Sequence, residues 1–304
     1  MNILIIGSKG FIGSYIYREF VHDSSCFVVS CDVIQDYNTP NYYVIDSTNA
    51  DFAIIFQEHK FDVCINCSGA ASVPDSILNP LRDFQLNTVN VYKVLEAIHR
   101  FCPTCRFINF SSAAVYGNPS TLPISELHSL SPLSPYGKHK LYAEQICEQF
   151  RAFYGIDTCS LRVFSAYGAG LRKQLFWDLF NKSRNLDHIE LWGTGNESRD
   201  FIEVRDIVEI VKLLIIPTKF PFSILNVANG EEIQIKNITT HFFEALQKKI
   251  SITFKGKPRE GDPQNWQADI DRLKSIGYQK KIDISKGLND YCTWLKQIEK
   301  ELDF

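Results

Sequence analysis

Tyr136 and Lys140 stand four residues apart in Ser134-Pro135-Tyr136-Gly137-Lys138-His139-Lys140. Ser134 is a good helix cap and Pro135 suits a first helical position. The pair therefore falls on one helix face. A lysine ammonium there can stabilise a phenolate and lower the phenol's pKa, as can a nearby cofactor cation. The result is a general base for a hydroxyl or a general acid for a ketone. Tyr-x-x-x-Lys alone is as common as any surface pair, so a third group matters. The run Arg106–Phe110 leads into Ser111-Ser112-Ala113-Ala114-Val115-Tyr116-Gly117. A serine at that strand end can hydrogen-bond the reacting oxygen.

A second constellation opens the chain: Gly7-Ser8-Lys9-Gly10-Phe11-Ile12-Gly13 follows the apolar run Asn2–Ile6. Glycines at this spacing let the backbone turn tightly, approach a pyrophosphate and pack a helix close to its strand, with Phe11 and Ile12 opening that helix. Placement between strand and helix is what gives the spacing its weight. Asp32 ends the next β-rich run, where a carboxylate accepts from ribose hydroxyls and repels a 2′-phosphate. That favours NAD over NADP, although Lys9 pulls the other way. Asp46 either meets an adenine edge or caps its own loop.

These residues need elements to hold them. Strands are predicted at Asn2–Ile6, Cys26–Cys31, Tyr42–Ile45, Val63–Cys67, Arg106–Phe110 and Thr158–Val163. Helices are predicted at Ile12–Val21, Ala50–Gln57, Asn79–Phe101 and Pro135–Phe153. The alternation predicts an α/β fold, a Rossmann-type doubly wound parallel sheet. After about Gly168 the rhythm changes to helices at Leu175–Ser183, Asp206–Leu214, Ile235–Lys248 and Ser285–Glu299, with a strand at Phe222–Val227. We expect a cofactor domain over 1–166 and a smaller α/β substrate lobe over 167–304, with segments around 201–228 returning to the first domain.

Composition sets the outer limits. The chain has 304 residues, 45% hydrophobic and 22% charged, which excludes disorder and coiled coil as the main architecture. A net charge of −3 argues against a general nucleic-acid binder. No run reaches the roughly 18 apolar residues of a membrane span, and the N-terminus reads as a strand rather than a signal peptide. Nine scattered cysteines do not form a secreted disulfide scaffold, so the cytoplasm is expected. Cys64 and Cys67 fall on opposite faces of one strand, and Cys102-Pro103-Thr104-Cys105 runs into a strand rather than a helix. All nine read as buried structural thiols, and no metal site is expected. The 13% aromatic content fits a deep core, an aromatic-lined pocket, or both.

Taken with Leu161-Arg162-Val163-Phe164-Ser165-Ala166-Tyr167-Gly168, Ser198-Arg199-Asp200-Phe201-Ile202 and Arg259-Glu260-Gly261-Asp262, these motifs resemble the extended short-chain dehydrogenases/reductases, specifically the NAD-dependent epimerase/dehydratase family that acts on nucleotide sugars. The resemblance covers nearly the whole chain. It implies a catalytic triad of Ser112, Tyr136 and Lys140. It also implies Asn87 near the catalytic lysine, and Ser68, Gly69 and Ala70 lining the nicotinamide side. Arg199 and Arg259 would hold the sugar nucleotide's diphosphate, a job that suits guanidinium forks, and Asp262 the nucleoside ribose. Ser165 stands where many epimerases carry Asn. Trp266 stands near the position that sets sugar size, where a bulky ring disfavours an N-acetyl group.

The family shares an opening oxidation to a 4-keto sugar. Its dehydratases place Asp-Glu after the catalytic Ser or Thr, and its decarboxylases keep an acid nearby. Ala113 and Ala114 cannot transfer protons, which disfavours both reactions. The resemblance therefore implies an NAD-dependent nucleotide-sugar 4-epimerase of the UDP-glucose/UDP-galactose type. The alternative is an NAD(P)H-dependent 4-keto-sugar reductase. A non-catalytic dinucleotide sensor or scaffold is the reading from another class; such proteins often lose the tyrosine or lysine, and both are present. The expected partners are a nucleotide-diphosphate sugar and a second copy of the chain, joined through the helices at Asn79–Phe101 and Pro135–Phe153. Leu141, Tyr142, Ile146 and Phe150 would form either that seam or core.

Overall fold

The computed structural model describes residues 1–47, 49–257, 261 and 263–302. In chain order the first half runs β1 (Asn2–Ile6), α1 (Phe11–Val21), β2 (Phe27–Asp32), β3 (Tyr42–Val44), α2 (Ala53–Glu58), β4 (Val63–Asn66), α3 (Val73–Leu78), α4 (Pro80–Phe84), a π-helical turn (Gln85–Val89), α5 (Asn90–Phe101), β5 (Arg106–Ser112) and α6 (Pro135–Tyr154). The second half runs β6 (Thr158–Val163), β7 (Ser165–Tyr167), α7 (Gln174–Ser183), β8 (His188–Leu191), β9 (Ser198–Arg199), β10 (Phe201–Glu203), α8 (Val204–Ile215), β11 (Ile224–Val227), β12 (Ile233–Gln234), α9 (Ile235–Leu246), β13 (Ser251–Phe254), α10 (Asp271–Ser275) and α11 (Ile284–Leu302).

Seven strands form one sheet in the order β11-β6-β5-β4-β1-β2-β3, every neighbouring pair parallel. The chain winds outward from β1 through β2 and β3, then returns to β4 and winds the other way. The crevice at the C-terminal ends of β1 and β4 is thus the switch point where such sheets bind ligands. Strands buried on both faces read as apolar runs, and β4 and β6 are buried at every position. One face carries Ile16, Phe20, Ile207 and Val211 from α1 and α8. The other carries Phe56, Val94, Leu95 and Phe150 from α2, α5 and α6.

Beyond β6 an aromatic cluster forms a separate core, with Phe176 stacked on Phe242 at 5.4 Å and 23°. Most of the aromatic excess is therefore packing. The strand Ile224–Val227 joins the main sheet beside β6, and α8 packs on α1.

Several expectations change. The helix expected over Asn79–Phe101 is α4, a π-helical turn and α5 in succession, because the residue types there carry no mark of an i→i+5 bond. The edge strand β13 pairs with β8 and was hidden by its alternation of exposed and half-buried residues. Leu141 and Phe150 are core residues, while Tyr142 is 37% exposed. Cys26 and Cys67 are only half-buried; the other seven thiols are buried. The Cys102 thiol, at the C-terminal end of α5, is pushed down to about 6 by its hydrogen bond with Cys105. Among the described residues no helix is long and apolar enough to cross a membrane.

Candidate active site

The ends of β4, β5 and β6 open into one cleft of about 860 Å³. Ser112, Tyr136 and Lys140 line it together, with Ile12, Ser68, Gly69 and Ala70. Ser134 caps α6 by accepting from Gly137 N at 3.2 Å. Gly137 then lets the helix close on the segment after β5, since a Cβ there would stand 2.7 Å from the Ala114 carbonyl oxygen. That approach places Tyr136 and Ser112 together on the wall of one cleft, near enough for the serine hydroxyl to bear on the phenol's titration. The Ser112 hydroxyl oxygen also accepts from Ala114 N at 3.2 Å.

Lys140 is buried, and its ammonium donates to the Phe110 carbonyl oxygen at 2.8 Å. Burial pushes its pKa down to about 8. Burial also pushes the Tyr136 phenol above its ordinary value, opposed by the Ser112 hydroxyl. The expected lowering of the phenol by Lys140 is thus not achieved by the chain alone. Nζ stands 6.0 Å from the ring centroid and is held by a carbonyl.

The glycine turn is as tight as its spacing predicts. A Cβ on Gly13 would fall 2.1 Å from the Gly7 carbonyl oxygen. Gly10 caps α1 with no side-chain acceptor, and no acid stands in the first turn, so the amide donors there are not claimed by a side chain. These features fit a dinucleotide pyrophosphate. Asp32 ends β2, its carboxylate accepting from Lys9 N at 2.8 Å and Val33 N at 2.7 Å. The Lys9 ammonium, for its part, pairs with Asp36 and donates to Thr39 at 3.0 Å. Phe11 packs edge-on against Tyr15 at 5.9 Å. Asn87 sits in the π-helical turn, donating to Asp83 at 3.0 Å, and its buried Oδ1 has no partner among the described residues. Asp46 is exposed and accepts from Asn49 N at 2.7 Å, the loop-capping alternative.

At the far side of the triad, Ser165 on β7 lines the cleft, its amide donating to the Asp200 carbonyl oxygen at 2.9 Å. Trp266 is 8% exposed, with Nε1 donating to Gly117 O at 3.1 Å and its ring edge-on to Phe164. Arg199 also lines the cleft, its guanidinium 5.5 Å above the Trp266 ring and donating to the Ser198 and Gln264 carbonyls. Arg259 and Asp262 lie outside the described residues.

Three groups central to the site's architecture escaped the sequence reading. Glu144, one turn beyond Lys140, forms a buried bidentate pair with Arg162 on β6 and accepts from Ser111 at 2.6 Å. Its position at i+4 from Lys140 was the available signal. Asp83 is buried beside α6 and bonds His139. The Asp200 carboxylate accepts from Asn229, Gly230 and Ala268 amides, tying the Trp266 loop to β10. Burial pushes it up to about 7.

Comparison with known proteins agrees with this geometry. A putative UDP-glucose 4-epimerase from Methanocaldococcus jannaschii is 28% identical over 97% of this chain and 98% of its own. Among solved structures, the UDP-N-acetylglucosamine 4-epimerase of Methanobrevibacter ruminantium M1 matches with a TM-score of 0.86 at 26% identity, over 98% of each chain. The UDP-glucuronic acid 4-epimerase of Bacillus cereus, solved with UDP-glucuronic acid and NAD, matches with a TM-score of 0.88 at 25% identity, over 98% of this chain and 100% of its own. A family model spans residues 3–228, and the chain belongs to the NAD dependent epimerase/dehydratase family that it describes.

Proposed function

We propose that the chain is an NAD-dependent UDP-sugar 4-epimerase, of the UDP-glucose/UDP-galactose type, acting through a transient 4-keto sugar. The observation that carries this reading is the Ser112 segment. It sets a hydroxyl in the same cleft as Tyr136 and then continues into Ala113 and Ala114, so that this segment offers no carboxyl to expel water or carbon dioxide. The relatives support the same reaction, their names being those of 4-epimerases of UDP-glucose, UDP-N-acetylglucosamine and UDP-glucuronic acid. The closed packing around Trp266 supports the smaller, unacetylated sugar.

Gly7, Gly10 and Gly13 with the first turn of α1 would hold the pyrophosphate of NAD, and Asp32 its adenosine ribose. Ser68, Gly69, Ala70 and Asn87 would line its nicotinamide side. The Lys9–Asp36 pair favours NAD over NADP, because the cation nearest the loop is already engaged. NAD supplies a hydride acceptor that can also return the hydride, and a positive charge beside the phenol. The chain does the rest. Tyr136 takes the proton of the sugar's 4-hydroxyl and later gives it back, so the reaction needs no proton from solvent. Ser112 hydrogen-bonds the reacting oxygen. Lys140, its ammonium 6.0 Å from the phenol ring, would add a positive charge to the one the cofactor brings. Arg199 and Ser165 hold the diphosphate side, leaving the ring free to present either face.

The test is the cofactor content of purified protein together with turnover. NAD retained through purification, and interconversion of UDP-glucose and UDP-galactose without added nicotinamide, are expected. Cofactor-free protein that consumes NADPH only with a 4-keto sugar would establish the reductase instead.

A further inference from the structure

The unpartnered acceptor beside Lys140 leads to a group the triad does not use. Asn87 is 1% exposed, and its Oδ1 faces the cleft wall at Gly69. A Cβ built on Gly69 would lie 2.4 Å from that oxygen and 3.4 Å from Lys140 Nζ, so the two side chains converge on one spot. What turns the amide this way is Asp83. Its side chain is fully buried; one carboxylate oxygen accepts from Asn87 Nδ2 at 3.0 Å, and the other meets His139 Nδ1 at 2.6 Å. An ionised carboxylate only accepts. Asn87 must therefore give it the NH₂ group and send its carbonyl oxygen toward Lys140. The π-helical turn, which commonly marks functional sites, sets Asn87 one turn beyond Asp83 on the same face.

We propose that Asp83 is a positioning residue with two effects: its buried charge holds Lys140 as an ammonium ion, and its hydrogen bond fixes the Asn87 carbonyl oxygen toward that ion. The proposal rests on Lys140 being the catalytic lysine, but its test reads the lysine directly. Lys140 faces charge from few sides. On its own helix stand Tyr136 and Glu144, the latter already paired with Arg162. From the end of β4 comes Cys67, whose thiol burial keeps neutral. From α4 comes Asp83, with His139 as its partner. Burial opposes the ammonium; among the opposing charges Asp83 contributes most.

The experiment titrates Lys140 by carbon-13 NMR in protein labelled at lysine Cε, the resonance being assigned by its absence in Lys140→Met. Asp83→Asn is expected to lower the Lys140 midpoint by about one pH unit and to move the alkaline limb of kcat down with it. His139→Gln keeps a donor to Asp83 and carries no charge, and is expected to leave the midpoint in place or raise it. An unmoved midpoint in folded Asp83→Asn overturns the proposal, as does a fall in His139→Gln equal to that in Asp83→Asn. If Asp83→Asn does not fold, Asp83→Ser takes its place with the same two outcomes. Because the titration needs no substrate, absence of epimerase activity would sink the functional reading and leave this result standing.

Discussion

At the scale of single residues, the site depends on two groups pushed away from their ordinary titration by burial. Tyr136→Phe removes the phenol hydroxyl that lines the cleft with Ser112 and Lys140. Turnover is expected to fall at least about 100-fold while NAD stays bound; near-normal activity in an epimerisation assay would refute the assigned base. Lys140 is strained in a different sense, since the protein pays to keep an ammonium in a dry site. Its folded pKa of about 8 lies below the ordinary 10.5, so stability is lost as pH falls through that interval and the loss is complete below it. Lys140→Met is expected to be inactive yet more stable at pH 7, by up to about 3 kcal/mol. Thermal or urea unfolding at pH 7 and again near pH 10.5 checks this, because the gain should shrink at the higher pH.

At the scale of elements, α6 is fastened to the sheet by Glu144 and Arg162. The carboxylate holds Ser111 of β5 with one oxygen and Arg162 of β6 with both. Arg162 continues to Tyr116 at 2.9 Å, and Tyr116 to Asn226 of β11 at 2.6 Å. Glu144→Gln leaves a buried guanidinium without its counter-charge and is expected to cost about 3–5 kcal/mol. A paired replacement, Glu144→Leu with Arg162→Met, is expected to recover most of that stability, as read from urea midpoints, without restoring the placement of Ser112. Much of the surrounding scaffold was legible in the residues. Ser134-Pro135 announced α6, and the glycines announced the β1-to-α1 turn. The Glu144–Arg162 pair was not legible, because its partners are 18 residues apart and meet only once β6 lies beside β5. The π-helical turn was hidden for the opposite reason: it inserts one extra backbone step into a run whose side chains look uniformly helical.

At the scale of the whole molecule, the sheet order brings the glycine turn after β1, Asp32 of β2, Ser68 after β4 and Ser112 of β5 to the carboxyl ends of neighbouring strands and leaves the outer faces of α5 and α6 to solvent. Those faces carry Tyr92 at 40% and Tyr142 at 37% exposure, with Leu81 at 69% and Phe153 at 78% nearby. We propose that they join two copies of the chain; of Leu141, Tyr142, Ile146 and Phe150, Tyr142 faces outward for this, while Leu141 and Phe150 belong to the core. Tyr92→Glu with Tyr142→Glu is expected to give a monomer by analytical ultracentrifugation where the parent sediments as a dimer; a monomeric parent would remove the proposal. The two-lobe division also stands as a proposal, with the first lobe taking α8 and β11 from beyond residue 200.

The ion pair between Lys9 and Asp36 has a consequence for redesign. A switch of coenzyme is usually approached by removing the acid that meets the ribose, which on the proposed reading is Asp32, and importing a cation. In this chain the cation is already beside the loop and is occupied by a second acid four residues further on. On that reading, preference for the phosphorylated coenzyme would be restrained twice, once by repulsion and once by sequestration. Relieving either restraint alone leaves the other in force.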